Sequence, residues 1–204
     1  MKTEIRRSNI ALAVLAFLYE APMHPYRMQQ LIKERGKDEV INVQQRASLY
    51  QTIKYLLRAE LIQVRETERE PNRPERTIYE LTAAGRQTLY QWLRAMLATP
   101  AGEFPEFPAA LAYLALLTPD DALQQLQTRA HALGAEVARL DDQLQQAIQS
   151  VPRLFLIELE YLRAAMTTEL TWVQSLIDDI QSGRLTWDDG WKAEIMAQFG
   201  STEL

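Results

Sequence analysis

No cysteine occurs anywhere in the 204 residues. That excludes a disulfide framework, a cysteine-ligated zinc site and a thiol nucleophile. Histidine is almost as scarce: His24 and His131 stand isolated in sequence, without the spacing of a metal-ligand set. There is no glycine-rich phosphate loop and no Gly-x-Ser-x-Gly elbow. With no nucleophile–base or metal constellation, the sequence argues against an enzyme, and neither a cofactor nor a metal is expected. No apolar run approaches the roughly 18 residues needed to span a bilayer. The N-terminus is positively charged, yet no Ala-x-Ala-like cleavage site follows Ile10 to Tyr19. That segment reads as a core helix, not a secretory signal, and the expected compartment is the cytoplasm.

What is present is ordinary in amount and uneven in placement. Charged residues make up 24% and apolar residues 47%, as in a globular chain able to bury a core. The net charge of -5 hides a division. Residues 1–97 hold 16 Lys/Arg and 11 Asp/Glu, a net of +5. Residues 98–204 hold 6 and 16, a net of -10. A basic half joined to an acidic half suits one module that meets a polyanion and one that does not, though any two-domain chain can show such a split. The boundary is expected near Ala98–Pro108, a stretch with three prolines, one glycine and two phenylalanines. This divides the chain into 1–97 and 98–204.

In the first half, Ser8 caps an apolar helix that Pro22 ends. A second helix is expected from His24–Pro25 to Arg35, with Tyr26, Met28, Leu31 and Ile32 as its buried stripe and Gly36 as its stop. A third spans about Arg46–Ala59. Leu49, Ile53, Leu56 and Leu57 recur at 3- and 4-residue spacing and face the core, which turns Ser48, Gln51, Lys54, Tyr55 and Arg58 outward. Two strands, near Leu61–Glu66 and Thr77–Leu81, flank a polar turn-forming segment. Thr82 then caps a helix to about Leu97, with Leu89, Trp92, Leu93 and Met96 at helical spacing.

A helix followed at once by a basic-tipped hairpin is how a winged helix-turn-helix meets DNA. Arg46, Ser48, Gln51 and Lys54 lie near the start or on the outer face of the third helix. Arginine and glutamine pair bidentately with guanine and adenine edges, while lysine and serine hold phosphates. Arg69, Arg73 and Arg76 serve the hairpin; Glu66, Glu68, Glu70 and Glu75 oppose phosphate unless paired with them or turned away. Tyr26 and Tyr50 fit either a phosphate contact or packing between helices. Taken alone, the helix face also fits plain solvation.

The second half reads as entirely helical. A short apolar helix is expected over Pro108–Leu117. Thr118-Pro119-Asp120-Asp121 starts a long helix to about Gln149, with Leu123, Leu126, Ala130, Leu133, Val137, Leu140, Leu144 and Ala147 as a heptad seam. After Pro152 another long helix carries Phe155, Leu159, Leu162, Met166, Leu170, Val173, Ile177 and Ile180, and Gly183 stops it. Thr186 caps a last helix holding Trp187 and Trp191. The seam can pack inside its own domain or against a second subunit through a C2 interface. Leu126, Leu133, Leu140, Leu162 and Val173 are the candidate dimerisation residues. All four tryptophans, Trp92, Trp172, Trp187 and Trp191, lie beyond residue 91. They suit packing, or a pocket for a flat ligand.

The chain resembles PadR-family transcriptional regulators. The likeness rests on Ala21-Pro22-Met23-His24-Pro25-Tyr26, on Ser48-Leu49-Tyr50 followed by Leu61-Ile62, and on Arg73-Pro74-Glu75-Arg76-Thr77-Ile78-Tyr79 leading to Leu81-Thr82 and Gly85. The second half, with Pro152–Glu158 and Gly183–Trp187, resembles the long C-terminal domain of one branch. The resemblance implies a mainly α fold: a winged helix-turn-helix with a two-stranded wing, then an all-α dimerisation domain. It implies a homodimer on double-stranded operator DNA, usually repressing, often released by a small aromatic effector near the dimer interface. DNA-contact residues are then expected at Tyr26, Arg46, Ser48, Tyr50, Gln51, Lys54, Arg73 and Arg76. Ala47 and Glu60 depart from the family, which often has glycine at both positions. The alternative reading is a winged-helix protein-interaction module that binds no DNA, and a third is a ligand carrier built on the helical half.

Overall fold

The computed structural model describes residues 7–37, 40–41, 46–68, 76–100, 102 and 105–199. It divides into two compact units, Met1–Gly102 and Glu103–Leu204.

The first unit holds α1 (Asn9–Glu20), α2 (Pro25–Glu34), α3 (Arg46–Arg58), β1 (Ile62–Glu68), β2 (Arg76–Leu81) and α4 (Ala83–Ala98). Its helix starts follow local chemistry. Ser8 Oγ accepts from Ala11 N, and Thr82 Oγ1 from Gly85 N. The imidazole of His24 does the same for α2: Nδ1 accepts from Arg27 N at 3.0 Å, ahead of Pro25. Each cap satisfies a backbone donor that the first helical turn leaves open.

The core of this unit is one cluster built from α1, α2, α3, the start of the wing and α4. Val14, Leu15, Met28, Ile32, Leu49, Ile53, Leu56 and Ile62 are its most deeply buried members. Four expectations change here. Tyr26 is exposed, because at the second position of α2 its ring stacks against His24, 6.1 Å away, instead of entering the stripe. Tyr55 packs against the core rather than facing outward. Leu93 and Met96 are largely exposed, since Leu89 and Trp92 alone fill the α4 contact. The wing strands are also longer than expected, because pairing extends to Glu68 and Arg76.

β1 and β2 pair antiparallel, from Ile62 opposite Leu81 to Glu68 opposite Arg76. Val64 faces Tyr79 and Glu66 faces Ile78, so Arg65 is the extra residue of a bulge. Met23, between α1 and α2, adds a third short edge: it exchanges two backbone hydrogen bonds with Tyr79, each 3.1 Å. This ties the wing to the helices before α3.

The second unit holds α5 (Glu106–Ala112), α6 (Pro119–Ala147), α7 (Ile157–Gln181) and α8 (Asp189–Phe199). The helix expected from Pro108 begins instead at Glu106, on Pro105, and gives way to a 3-10 turn at Leu114–Leu116. Thr118 Oγ1 caps α6 as its sequence demands. α6 and α7 form an antiparallel hairpin, linked by Arg129–Glu169 and Arg163–Asp141 ion pairs. Phe155 is not part of α7: it lies in a 3-10 turn before it and is exposed. Trp187 is not part of the last helix. It is buried ahead of α8, and its indole N–H donates to Leu117 O at 2.8 Å. Asp188 Oδ1, not Thr186, accepts from the start of α8 at Trp191 N.

Part of the heptad seam packs within this hairpin. Leu126, Leu140 and Val173 are buried in a single chain, and Leu133 packs against the same cluster as Leu126 and Val173. Leu162 is half-buried. Leu126, Leu140 and Val173 thus contribute to the core of the hairpin itself.

Candidate nucleic-acid interface

α3 is held by its ends and by one apolar face. Leu49, Ile53 and Leu56 anchor that face in the core. The C-terminal end closes in a Schellman arrangement, with Leu61 N donating to Leu56 O and Glu60 N to Leu57 O. Glu60 sits at the left-handed position, φ 58°, where glycine is the usual residue. Thr82 locks the same corner: its N–H donates to Leu61 O, and its hydroxyl lies 2.9 Å from both Glu60 O and Leu61 O. Gly85 completes it, since a Cβ there would lie 1.9 Å from Leu61 O. The helix is therefore fixed in direction by the junction with α4.

The opposite face of α3 is open. Tyr50 is 48% exposed, and Gln51, Lys54 and Arg58 are exposed beside it. Among the described residues Lys54 makes no ion pair, and Arg58 donates only to Lys54 O. Ser48 is half-buried and its carbonyl accepts from Thr52 Oγ1 at 2.8 Å. Tyr26, 54% exposed, presents its ring from α2. Both tyrosines thus stand in solvent rather than between helices. Arg76 is half-buried at the tip end of the paired strands, in register with Glu68. Arg69 and Arg73 lie outside the described residues, as do the side chains of Arg46 and Ala47.

Two arginines at the ends of α2 are engaged. Arg35 forms a bidentate pair with Glu20, 2.6 and 2.7 Å, and covers the Phe17 ring at 5.6 Å. Its guanidinium holds the Glu20 carboxyl below the usual range. Arg27 pairs with Glu34 at 2.9 Å. Arg27 and Arg35 thus brace helices, while Lys54 and Arg58 keep their charge for solvent or a polyanion. Arg65 is a candidate that the sequence pattern hid. The bulge leaves it exposed on β1, with only a long 3.9 Å contact to Glu66. An arginine inside an apparently irregular strand was the available signal.

The sequence of residues 14–91 matches the transcriptional regulator PadR-like family. That match lies within the N-terminal unit. The chain as a whole also has solved structures of similar fold. PadR of Bacillus subtilis in complex with operator DNA has a TM-score of 0.68 and 18% identity, covering 86% of this chain and 99% of that one. The same protein with p-coumaric acid also has a TM-score of 0.68 and 18% identity, covering 84% and 98%. The Vibrio cholerae virulence activator AphA has a TM-score of 0.64 and 14% identity, covering 85% and 99%. At these identities the likeness establishes the fold: mainly helical, with a winged helix and a helical C-terminal region. No curated protein matches the sequence. Among the described residues no helix is long and apolar enough to cross a membrane.

The tryptophans fall into two groups. Trp92 and Trp187 are buried. Trp172 and Trp191 are exposed, and Trp172 stands edge-on to Phe107 at 6.1 Å, in an open cleft of the second unit.

Proposed function

We propose that this chain is a transcriptional repressor that binds promoter operator DNA as a cytoplasmic homodimer and is released by a small aromatic effector. The observation that carries the DNA step is the outer face of α3. Gln51 and Lys54 stand exposed there, on the basic half of the chain, in a PadR-like domain. α3 enters the major groove in this reading. Arg46, Ser48, Gln51 and Lys54 meet bases and phosphates, Tyr26 and Tyr50 meet the backbone, and Arg73 and Arg76 serve the wing. B. subtilis PadR, of the same fold, has been solved both with operator DNA and with p-coumaric acid, which supports both a DNA site and an effector.

Two protomers give a C2 pair of recognition helices about 34–36 Å apart, matching one DNA turn. The apolar surface for that pairing is at the α6–α7 turn, where Ile148, Leu154, Phe155 and Tyr161 are exposed. If they form the interface, the melting temperature of the C-terminal unit rises with protein concentration. A melting temperature independent of concentration, with one-chain mass in sedimentation, overturns the dimer.

The test of the DNA reading is fluorescence anisotropy against DNA upstream of the gene, with sites selected from random duplexes as a second source. Lys54→Ala is expected to weaken specific binding and reduce the salt slope by about one, with an unchanged melting temperature. No binding to any duplex at low salt would leave the interaction-module reading. A reporter that rises when the gene is deleted supports repression; one that falls makes the protein an activator.

A further inference from the structure

The open cleft of about 690 Å³ in the C-terminal unit lies between α5, α6 and α7. Its walls are apolar and aromatic: Pro105, Phe107, Pro108, Leu111 and Trp172. Arg129 lies on one face of Phe107, with its guanidinium carbon 3.7 Å from the ring centroid. Trp172 meets the other aromatic edge and is 48% exposed. A half-open indole against apolar walls is the kind of surface that flat ring systems cover.

The polar groups in the lining decide what kind of ring. Arg129 is the one cation, and Glu169 neutralises it: Arg129 Nε donates to Glu169 Oε1 at 2.7 Å, and Nη2 donates to the same oxygen. Both bonds end on Oε1, so among the described residues Oε2 remains an acceptor without a donor. Glu106 adds a second carboxylate and makes no ion pair among the described residues. The lining therefore carries two carboxylates against one guanidinium, inside a half of the chain with a net charge of -10. An aromatic carboxylate entering here would meet uncompensated negative charge. An aromatic cation would meet Glu106, Glu169 Oε2 and the π face of Trp172.

We infer that the α5–α6–α7 cleft binds a flat aromatic cation. The ring stacks on Trp172 and its protonated nitrogen faces the two carboxylates. The site deepens the effector reading by giving it a place and a charge. Binding itself does not depend on DNA, so the two readings fail separately.

The test is calorimetry on the full chain without DNA, using two probes with one ring system and opposite charge. 9-Aminoacridine, protonated at neutral pH, is expected to bind once per chain. Acridine-9-carboxylate is expected to bind at least about tenfold more weakly. Trp172→Ala should lower 9-aminoacridine affinity about tenfold, and Glu106→Gln should narrow the gap between the probes without touching the Arg129–Glu169 pair. Trp172→Leu repeats the first arm if the alanine variant does not fold. Equal or tighter binding of the carboxylate, no binding of either probe, or full affinity in both Trp172 variants would overturn the site. Operator binding that survives such a failure leaves the regulator reading intact.

Discussion

Among the described residues, the N-terminal unit closes sixteen hydrophobic side chains into one buried cluster, whereas the cluster joining α6 and α7 holds five. The first unit reaches that density by joining distant pieces: α1, α2, α3, the wing and α4 all contribute. The second relies on two long helices, whose contact leaves many residues half-buried and Leu116, Leu154 and Tyr161 in solvent. A hairpin of two helices can enclose only the stripe between them, and its outer flanks need another surface. The contrast extends to charge, +5 against -10. One unit holds a helix still, and the other presents area.

The contrast breaks most sharply at Gly85. This glycine lies against the Leu61 carbonyl, where α4 begins and the α3 corner ends. Gly85→Ala places a methyl 1.9 Å from backbone oxygen, so the corner must open. The expected loss is about 3 kcal/mol of N-terminal stability, read by denaturant unfolding. An unchanged midpoint would show that the N-terminal corner yields as readily as the second unit. The corresponding joint in the second unit is softer. Trp187→Phe keeps an aromatic ring in place and removes the N–H that donates to Leu117 O. Leu117 is exposed, so water can replace the donor. The cost should be about 1 kcal/mol, and a larger one would make Trp187 the anchor of the unit.

What was legible in the sequence was local chemistry. Ser8, Thr82 and Thr118 cap helices because a hydroxyl can reach the third backbone N–H from its own position. Gly36 and Gly183 end helices at positive φ. The period of Leu49, Ile53 and Leu56 shows which face of α3 is buried, and so which face is open. What was not legible depends on partners remote in sequence. The heptad seam announces a helix partner, not whose helix it is, and α7 supplies it. Tyr55 and Leu93 have similar apolar character, yet one packs and the other is exposed, because neighbouring elements decide. The cleft brings Phe107, Arg129 and Trp172 together from three helices, and no spacing announces that.

Glu60 sharpens the comparison from the stabilising side. It occupies a left-handed position at φ 58°, a conformation that disfavours any Cβ. Gly183 occupies the same kind of position after α7 without strain. Glu60→Gly should raise N-terminal stability by about 0.5–1 kcal/mol, the relief of strain being partly offset by a freer unfolded chain. Its side chain is exposed, so no packing is lost. A fall in stability would mean that Glu60 does more than end a helix.

The smallest effect separates two surface clusters of arginine and aromatic rings. In the second unit, Arg129, Phe107 and Trp172 border an open cleft. In the first, Arg86 covers the Tyr19 ring at 4.8 Å, and Tyr90 donates its hydroxyl proton to Tyr19 at 2.9 Å, so the polar groups satisfy one another. That hydrogen bond holds the Tyr90 hydroxyl above its ordinary pKa, with a smaller opposing pull from Arg86. Because the folded value lies above the unfolded one, the contribution is complete below about pH 10, the unperturbed tyrosine value, and is lost as pH rises through the folded value. Ultraviolet titration of the folded protein should therefore show one tyrosine ionising late, and Tyr19→Phe should return it toward the others. If Tyr90 titrates with the exposed tyrosines in both proteins, the hydroxyl pair does not persist in solution, and the two clusters are equally open.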